Sequence, residues 1–395
     1  MVETAQEACA PPTYIVGIDA ANLLRGGGRT HLIELLAAAE PEKYGIEKVV
    51  VWGRYSTLAL LKDSEWLQKV HVPALEDGLL RRSMWQKFKL SEAARSSGCD
   101  VLFVPGGSFS GDFRPVVTMS RNMLPFEWRE LSRYGFSFLT LKLLLLRLVQ
   151  SRSFRSADGL IFLSQYAHQK VSAVCGHVNK EFTVIPHGVN ARFQSPPRQQ
   201  RLISDCNADA PFRLLYVSNI DMYKHQWVVV EAVARLRTTH GWPVTLDLVG
   251  TSHPKALRKL KSSIQRWDQK QQWVSWKGEI PYTQLEELYQ SADVGVFASS
   301  CENMPNILME TMAAGLPIAC SNKGPMPEFL KSDGLYFDPE DSVSIGHVLE
   351  ELIESPELRS RLAAASWSSA ANYSWEKCAD ETMRFLNNVV SKKAT

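Results

Sequence analysis

The stretch Ser299-Ser-Cys-Glu-Asn-Met-Pro-Asn-Ile-Leu-Met-Glu-Thr-Met-Ala-Ala-Gly-Leu-Pro317 organises the chain. The apolar run Val294-Gly-Val-Phe-Ala298 leads in as a buried strand, and Asn306 to Ala314 reads as a helix. Asn303 and Asn306 offer N-cap side chains, Pro305 suits an entry turn, Gly315 stops the helix and Pro317 prevents its continuation. A helix that begins where a parallel strand ends turns unpaired N–H groups and a partial positive charge outward from the sheet. That is an anion site, most naturally for a phosphate.

Glu302 stands just before this helix and Glu310 roughly one turn inside it. Ionised carboxylates accept hydrogen bonds from the hydroxyls of a polyol, while amides between them suit a phosphate, so the ligand implied carries both. The alternative is a cap-region charge at Glu302 and a solvated helix-face residue at Glu310. The two glutamates match the E-x7-E pattern of the retaining glycosyltransferase family 4. The flanking Pro-Asn-Ile-Leu-Met-Glu-Thr-Met-Ala-Ala-Gly-Leu-Pro-Ile resembles that family's donor-site helix.

A chain of 395 residues exceeds one core and is expected to divide into two domains. Hydrophobic content of 45% and charged content of 22% are those of a soluble globular protein, and a net charge of +2 argues neither for nor against nucleic acid. The 7 cysteines are scattered, with no C-x-x-C or Cys/His cluster, and read as reduced thiols in a cytoplasmic protein. Cys301, beside the site, reads as a small apolar filler. Met1 to Thr13 lacks the pattern of a signal peptide, and no apolar run is long enough to span a bilayer.

Tyr14-Ile-Val-Gly-Ile18 reads as the first strand, followed by Arg25-Gly-Gly-Gly-Arg-Thr-His31 and a helix through Ala39. Three consecutive glycines do not have the G-x-G-x-x-G spacing of a dinucleotide site. The resemblance likens Gly27 and Gly28 to the family's glycine-rich loop facing the cleft between domains; a flexible turn is the other reading. Further strands are expected at Lys48 to Trp52, Asp100 to Pro105, Pro115 to Met119, Gly159 to Ser164 and Phe182 to Pro186. Ile185-Pro-His-Gly-Val189 resembles the segment closing the family's first domain, with His187 read as a turn residue rather than a catalyst.

Residues 194–211 shift to Pro, Arg, Gln, Asp and Asn and read as the interdomain linker. A second alternating unit follows, with strands at Phe212 to Val217, Pro243 to Val249, Trp273 to Trp276, Asp293 to Ala298 and Leu316 to Cys320. Helices are expected at His225 to Thr239, Pro254 to Gln269, Tyr282 to Ser291 and from Ser342 onward. Tyr373-Ser374-Trp375-Glu376 resembles the start of the family's terminal helix. The fold class expected is α/β, with two Rossmann-like doubly wound domains facing across a cleft, the GT-B architecture. Residues 1–193 form the acceptor domain, 212–372 the nucleotide-sugar domain, and 373–395 a helix crossing back to the first domain.

The strand Leu214-Leu-Tyr-Val217 runs into Ser218-Asn-Ile-Asp-Met-Tyr-Lys-His225. In family 4 this loop carries an Arg and a Lys that hold the donor diphosphate. Lys224 falls on the Lys, whereas Asn219 occupies the place of the Arg and can donate a hydrogen bond but no charge. A fixed ammonium aimed at a departing diphosphate stabilises the charge that grows in the transition state. Either Arg29 or Arg121 compensates for Asn219, or leaving-group stabilisation is weaker. The resemblance further implies that Glu302 touches the donor sugar, Glu310 the ribose, and the amides of Asn303, Met304, Pro305, Asn306 and Ile307 the sugar and phosphate region, with Ser218, Gly278 and Ile280 also on the donor side. Lys224 and Glu302 are the residues expected to act in catalysis. Near Val117-Thr-Met-Ser-Arg-Asn-Met123 many family members have a sugar-contacting His, and here Ser120, Arg121 and Asn122 stand instead. No D-x-D motif occurs, so neither a metal nor another cofactor is expected beyond the nucleotide sugar as co-substrate.

Between Arg114 and Arg155 basic residues outnumber acidic ones, and Phe136 to Val149 is apolar with Lys142 and Arg147 interspersed. Two readings stand: a helix lying in a membrane interface at anionic lipid, or a buried helix with a solvated edge. Arg121, Asn122, Lys142 and Arg147 are assigned to this acceptor and membrane side. No nucleic-acid module accompanies the basic residues. The activity implied is retaining transfer of a hexose, with mannose as a guess, from a nucleoside diphosphate sugar to a saccharide acceptor. Under the membrane reading that acceptor is polyprenyl-diphosphate-linked, the location is the inner face of the membrane and the product a cell-surface polysaccharide. The rivals are another GT-B nucleotide-sugar enzyme, such as an epimerase or hydrolase, and a non-catalytic binding protein.

Overall fold

The computed structural model describes residues 13–24, 26–176 and 181–394. The readings made of the N-terminal segment before Thr13, of Cys9 and of Arg25 lie outside the described residues. Two parallel sheets form the framework. The first contains β1 (Tyr14–Asp19), β2 (Ile46–Gly53), β3 (Leu67–His71), β4 (Val101–Val104), β5 (Val116–Met119), β6 (Gly159–Phe162) and β7 (Glu181–Val184), in the order β3-β2-β1-β4-β5-β6-β7. The second contains β8 (Phe212–Val217), β9 (Val244–Val249), β10 (Val274–Trp276), β11 (Val294–Phe297), β12 (Ile318–Ser321) and β13 (Leu335–Phe337), in the order β10-β9-β8-β11-β12-β13.

Both orders reverse direction beside their first strand, between β1 and β4 and between β8 and β11. In open parallel sheets ligands bind outside the carboxyl ends of the strands at such switch points. Each sheet therefore aims one binding crevice, and the two crevices meet. The inner strands are apolar because helices cover both faces; β4, β5, β6, β11 and β12 are buried along their whole length.

Four helices position the site. They are α1 (Gly27–Ala37), α2 (Phe138–Ser156), α3 (Asn306–Ala313) and α4 (Trp375–Ala394). Helix α4 lies on the first sheet, where Phe385 and Val389 pack so close to Gly159 that a Cβ there would come within 3.0 Å of both. Tyr44 donates to Asp380, and the Lys393 ammonium donates to the Arg114 carbonyl at 2.7 Å.

The strands expected from the sequence are present, with ends shifted by one or two residues. Two edge strands, β3 and β13, were not expected: Leu-Gln-Lys-Val-His is half polar and Leu-Tyr-Phe is short, and neither is buried on both faces. The expected caps are corrected. Pro305 holds the cap position of α3 with no side-chain cap bond, because Asn303 and Asn306 are turned toward the first domain. Residues 194–211 are more than a spacer: Arg198 and Arg201 both pair with the buried Asp293, at 3.1 and 2.6 Å, and the Ser195 amide donates to the Ala313 carbonyl at the end of α3. That segment wraps behind the helix, and Gly315, at φ 64°, lies where a Cβ would stand 2.7 Å from the Pro197 nitrogen.

Candidate active site

The loop after β11 and the loop after β8 meet through Lys224 and Glu302. The ammonium is 7% exposed by residue, contacts the Glu302 carboxylate directly and lies 5.2 Å from the ring centres of both Tyr223 and Phe297. Tyr216 donates to the Lys224 carbonyl at 2.8 Å, which fixes the end of the loop. Ser218 is buried and its hydroxyl donates to the Asn219 carbonyl. Asn219 itself is exposed, and its side-chain oxygen accepts from the Thr251 hydroxyl at 2.9 Å. Its side chain is thus held by its own domain.

Glu310 is 6% exposed, and its two oxygens accept from the Tyr282 hydroxyl at 2.9 Å and the Tyr289 hydroxyl at 3.2 Å. The solvated-face reading of Glu310 is therefore set aside. Burial raises its pKa to about 7 against the two tyrosine hydrogen bonds, which favour the ionised form. Gly278 extends the adjoining turn, its carbonyl accepting from the Gly250 amide at 2.8 Å, and Ile280 and Ile307 are half-buried against the core.

The first domain closes on the start of α3 at four points. Ser164 donates to the Asn303 carbonyl at 2.7 Å, and the Asn303 amide group donates to the Ser120 hydroxyl at 3.3 Å. The His187 amide donates to the Met304 sulfur at 3.0 Å, and the His187 ring nitrogen Nδ1 lies 3.2 Å from the Asn306 side-chain oxygen. Gly27 is the fourth: a Cβ there would touch the Asn306 amide nitrogen at 3.4 Å. The reading of His187 as a turn residue is corrected. Its ring is buried, stacked on Trp375 at 5.6 Å and 4.6 Å from the ring of His31. Burial pushes the His187 imidazole down to about 3 and that of His31 well below its ordinary range, so both rings are neutral.

Gly28 is buried under the Arg121 guanidinium; a Cβ at Gly28 would stand 2.5 Å from Arg121 Nη1. The same arginine lines a cavity of about 490 Å³ in the first domain, with Asn22, Gln86, Asn122, Lys142 and Leu145. Asn122 is exposed, and Arg147 is half-buried on α2 away from the cavity lining. The buried-helix reading of Phe136 to Val149 does not survive. Phe138, Leu141, Leu145 and Leu148 are 60 to 82% exposed, a helical stripe turned outward. Leu79, Leu80, Met84 and Phe88 on the neighbouring helix Leu79–Phe88 are exposed as well.

Sequence reading missed a second set of contacts across the cleft. Tyr134 donates to Asp221 at 2.5 Å, and Ser300 donates to Glu130 at 2.7 Å while standing 2.9 Å from the His225 ring. Nothing in the spacing of these residues marks them, since they come from loops of both domains. For His31 a signal was present: it shares the inward spacing of Gly28, Leu32, Leu35 and Leu36 on α1.

Residues 204–367 match the family described as Glycosyl transferases group 1. The second domain is thus similar to group 1 glycosyltransferase domains. Among similar proteins, the O-antigen chain mannosyltransferase B of Escherichia coli is 32% identical over 112 residues, 28% of this chain and 29% of that protein. Glycogen synthase of Mycobacterium tuberculosis is 27% identical over 240 residues, 59% of this chain and 55% of that protein. The chain thus matches between about a third and about half of the length of these relatives. The fold resembles sucrose-phosphate synthase from Thermosynechococcus elongatus at a TM-score of 0.74 and 18% identity, over 96% of this chain and 100% of that one. The fold is the GT-B architecture, the fold class expected from the sequence. Among the described residues no helix is long and apolar enough to cross a membrane.

Proposed function

We propose that the protein is a retaining family 4 glycosyltransferase that moves a hexose from a nucleoside diphosphate sugar to a saccharide acceptor. The observation that carries this reading is the joining of the two crevices: the glycine-rich turn of the first domain lies on the start of α3 through Gly27 and Asn306, beside the Lys224–Glu302 pair. The sugar C1 bond to the diphosphate breaks as the acceptor oxygen bonds to C1 on the same face, and the acceptor proton passes to the released phosphate oxygen. Glu302 and Glu310 accept from sugar and ribose hydroxyls, and Lys224 and the start of α3 bear on the phosphates. No metal or other cofactor is needed for this division of labour.

Likeness to an O-antigen chain mannosyltransferase supports a mannosyl donor and a cell-surface polysaccharide product. The outward apolar stripe of α2 with Lys142 and Arg147, together with the exposed apolar residues of Leu79–Phe88, supports a peripheral contact with anionic lipid at the inner face of the membrane. The cavity between these two helices then suits an acceptor carried on a polyprenyl diphosphate. The test is a panel of nucleotide sugars in a thermal-shift assay on wild type and Glu310→Ala, followed by product analysis with lipid-linked saccharides. A selective shift lost in the variant, with an anomeric configuration kept in the product, is the expected result.

One rival has an observation in its favour. With Asn219 held by Thr251 and Lys224 neutralised by Glu302, the loop after β8 offers, among the described residues, no unpaired cation for a leaving group. A non-catalytic binding protein would bind donor and turn over none of it with any acceptor.

A further inference from the structure

Arg121 has no hydrogen-bond or ion-pair partner among the described residues, and its Nε is buried. Desolvation alone acts on it and lowers it to about 10, so it remains charged at neutral pH. An unpaired, half-buried guanidinium with its Nε withdrawn from water costs stability and is retained where something else uses it. Its neighbours are also unsatisfied: both ring nitrogens of His31 and Nε2 of His187 are buried without partners. These three side chains surround the beginning of α1, an 11-residue helix whose N-terminal turn carries no acidic residue. The start of α3 lies alongside, through the contact of Asn306 with His187. A cation, the neutral His31 imidazole with its unused N–H and two helix N-termini form a built anion site with no anion supplied by the protein.

We infer that Arg121 binds the donor's departing diphosphate from the first-domain side and supplies the positive charge that Asn219 lacks. The inference rests on the glycosyl-transfer reading. When the C1–O bond breaks, the electron pair stays on the phosphate oxygen, and the acceptor oxygen takes its place on C1. Arg121, with Gly28 beneath it leaving room for the guanidinium to lie flat on the turn, bears on the oxygen that receives that pair. His31 donates a hydrogen bond to the same group as a neutral ring, while His187, whose Nδ1–H is held by the Asn306 side-chain oxygen, packs beside it. Of the two arginines the sequence offered, Arg121 is the one whose guanidinium covers Gly28.

The experiment is titration calorimetry of full-length wild type, Arg121→Met and Arg121→Met with Asn219→Arg, using inorganic pyrophosphate, UDP, GDP, ADP and farnesyl diphosphate as probes. The expected result is binding of pyrophosphate and of one nucleoside diphosphate by wild type, weakened at least tenfold in Arg121→Met. Its melting temperature should be unchanged or raised, since an unpaired, half-buried charge has been removed. The added Asn219→Arg should recover part of the affinity. Equal binding by wild type and Arg121→Met overturns the inference. So does a fall in melting temperature without recovery by Asn219→Arg, which would assign Arg121 to packing. Displacement of pyrophosphate by farnesyl diphosphate but by no nucleoside diphosphate overturns it too, giving the site to the acceptor. Diphosphate binding lost in Arg121→Met, in a protein that turns over no nucleotide sugar, leaves the inference standing and removes the transferase reading instead.

Discussion

The Lys224 ammonium and the Glu302 carboxylate, from loops following β8 and β11, are in direct contact and largely withdrawn from water. Each neutralises the other, and that contact, with the Ser300 amide donating to the Tyr223 carbonyl at 2.8 Å, joins the two loops of the second crevice. Donor entering the site must share or replace it.

Lys224→Met leaves the Glu302 charge without its partner, and the loss of stability is expected to be on the order of 3 kcal/mol in urea unfolding. The double variant Lys224→Met with Glu302→Gln should recover most of this. Glycosyl transfer should stay low in both, by about 100-fold in kcat. A double variant as unstable as the single one would mean that the pair contributes through packing and not through charge.

Glu310 gives the protein a pH dependence of known sign. Its pKa is raised from 4.5 to about 7 in the folded protein, so the stability it contributes is present below about pH 4.5 and lost as pH rises through 7. Glu310→Gln should match wild type near pH 5 and exceed it at pH 8, by up to about 3 kcal/mol for a shift of this size. Melting curves of both proteins at the two pH values check this, and a difference that shrinks toward pH 8 would reverse the assignment.

Gly28 and Gly315 separate function from folding. Gly28→Ala meets the far end of a flexible side chain, so it should displace the Arg121 guanidinium with little change in melting temperature and with diphosphate binding lost. Gly315→Ala meets the backbone of Ser195 and Pro197 at a left-handed φ of 64°, and should destabilise by about 2 kcal/mol or more. Calorimetry and unfolding curves on the two variants should give opposite patterns.

Vesicle co-sedimentation tests the outward stripe. Binding to vesicles containing anionic lipid should fall with salt and fall further in Lys142→Glu with Arg147→Glu. Leu141→Ser with Leu145→Ser should abolish it even at low salt. Binding that ignores all four substitutions would move the lipid contact elsewhere.

The two-sheet architecture was legible because its inner strands are uninterrupted apolar runs, such as Val294-Gly-Val-Phe297, each followed by a turn and a helix. The edge strands β3 and β13 were not, because one exposed side erases the pattern. The donor-side loops were legible one at a time, from Lys224, Glu302 and Glu310. What escaped was the pairing between loops: Asn306 with His187, Ser300 with Glu130, and above all Arg121 with Gly28. Arg121 was assigned to the acceptor side from its position among basic residues, and it does line that cavity. That it also covers the glycine-rich turn depends on how β5 and α1 lie in space, which no local spacing records.

Helix α4 belongs by sequence to the end of the chain and by contact to the first sheet, where Phe385 and Val389 pack on Gly159. During synthesis the first domain therefore waits, with that face of its sheet open, until residues 375–394 have left the ribosome. The second domain must be made, and held nearby, before the first can finish. The first half thus borrows part of its own core from the far side of the second, and the cleft between them is completed only once that helix has come back.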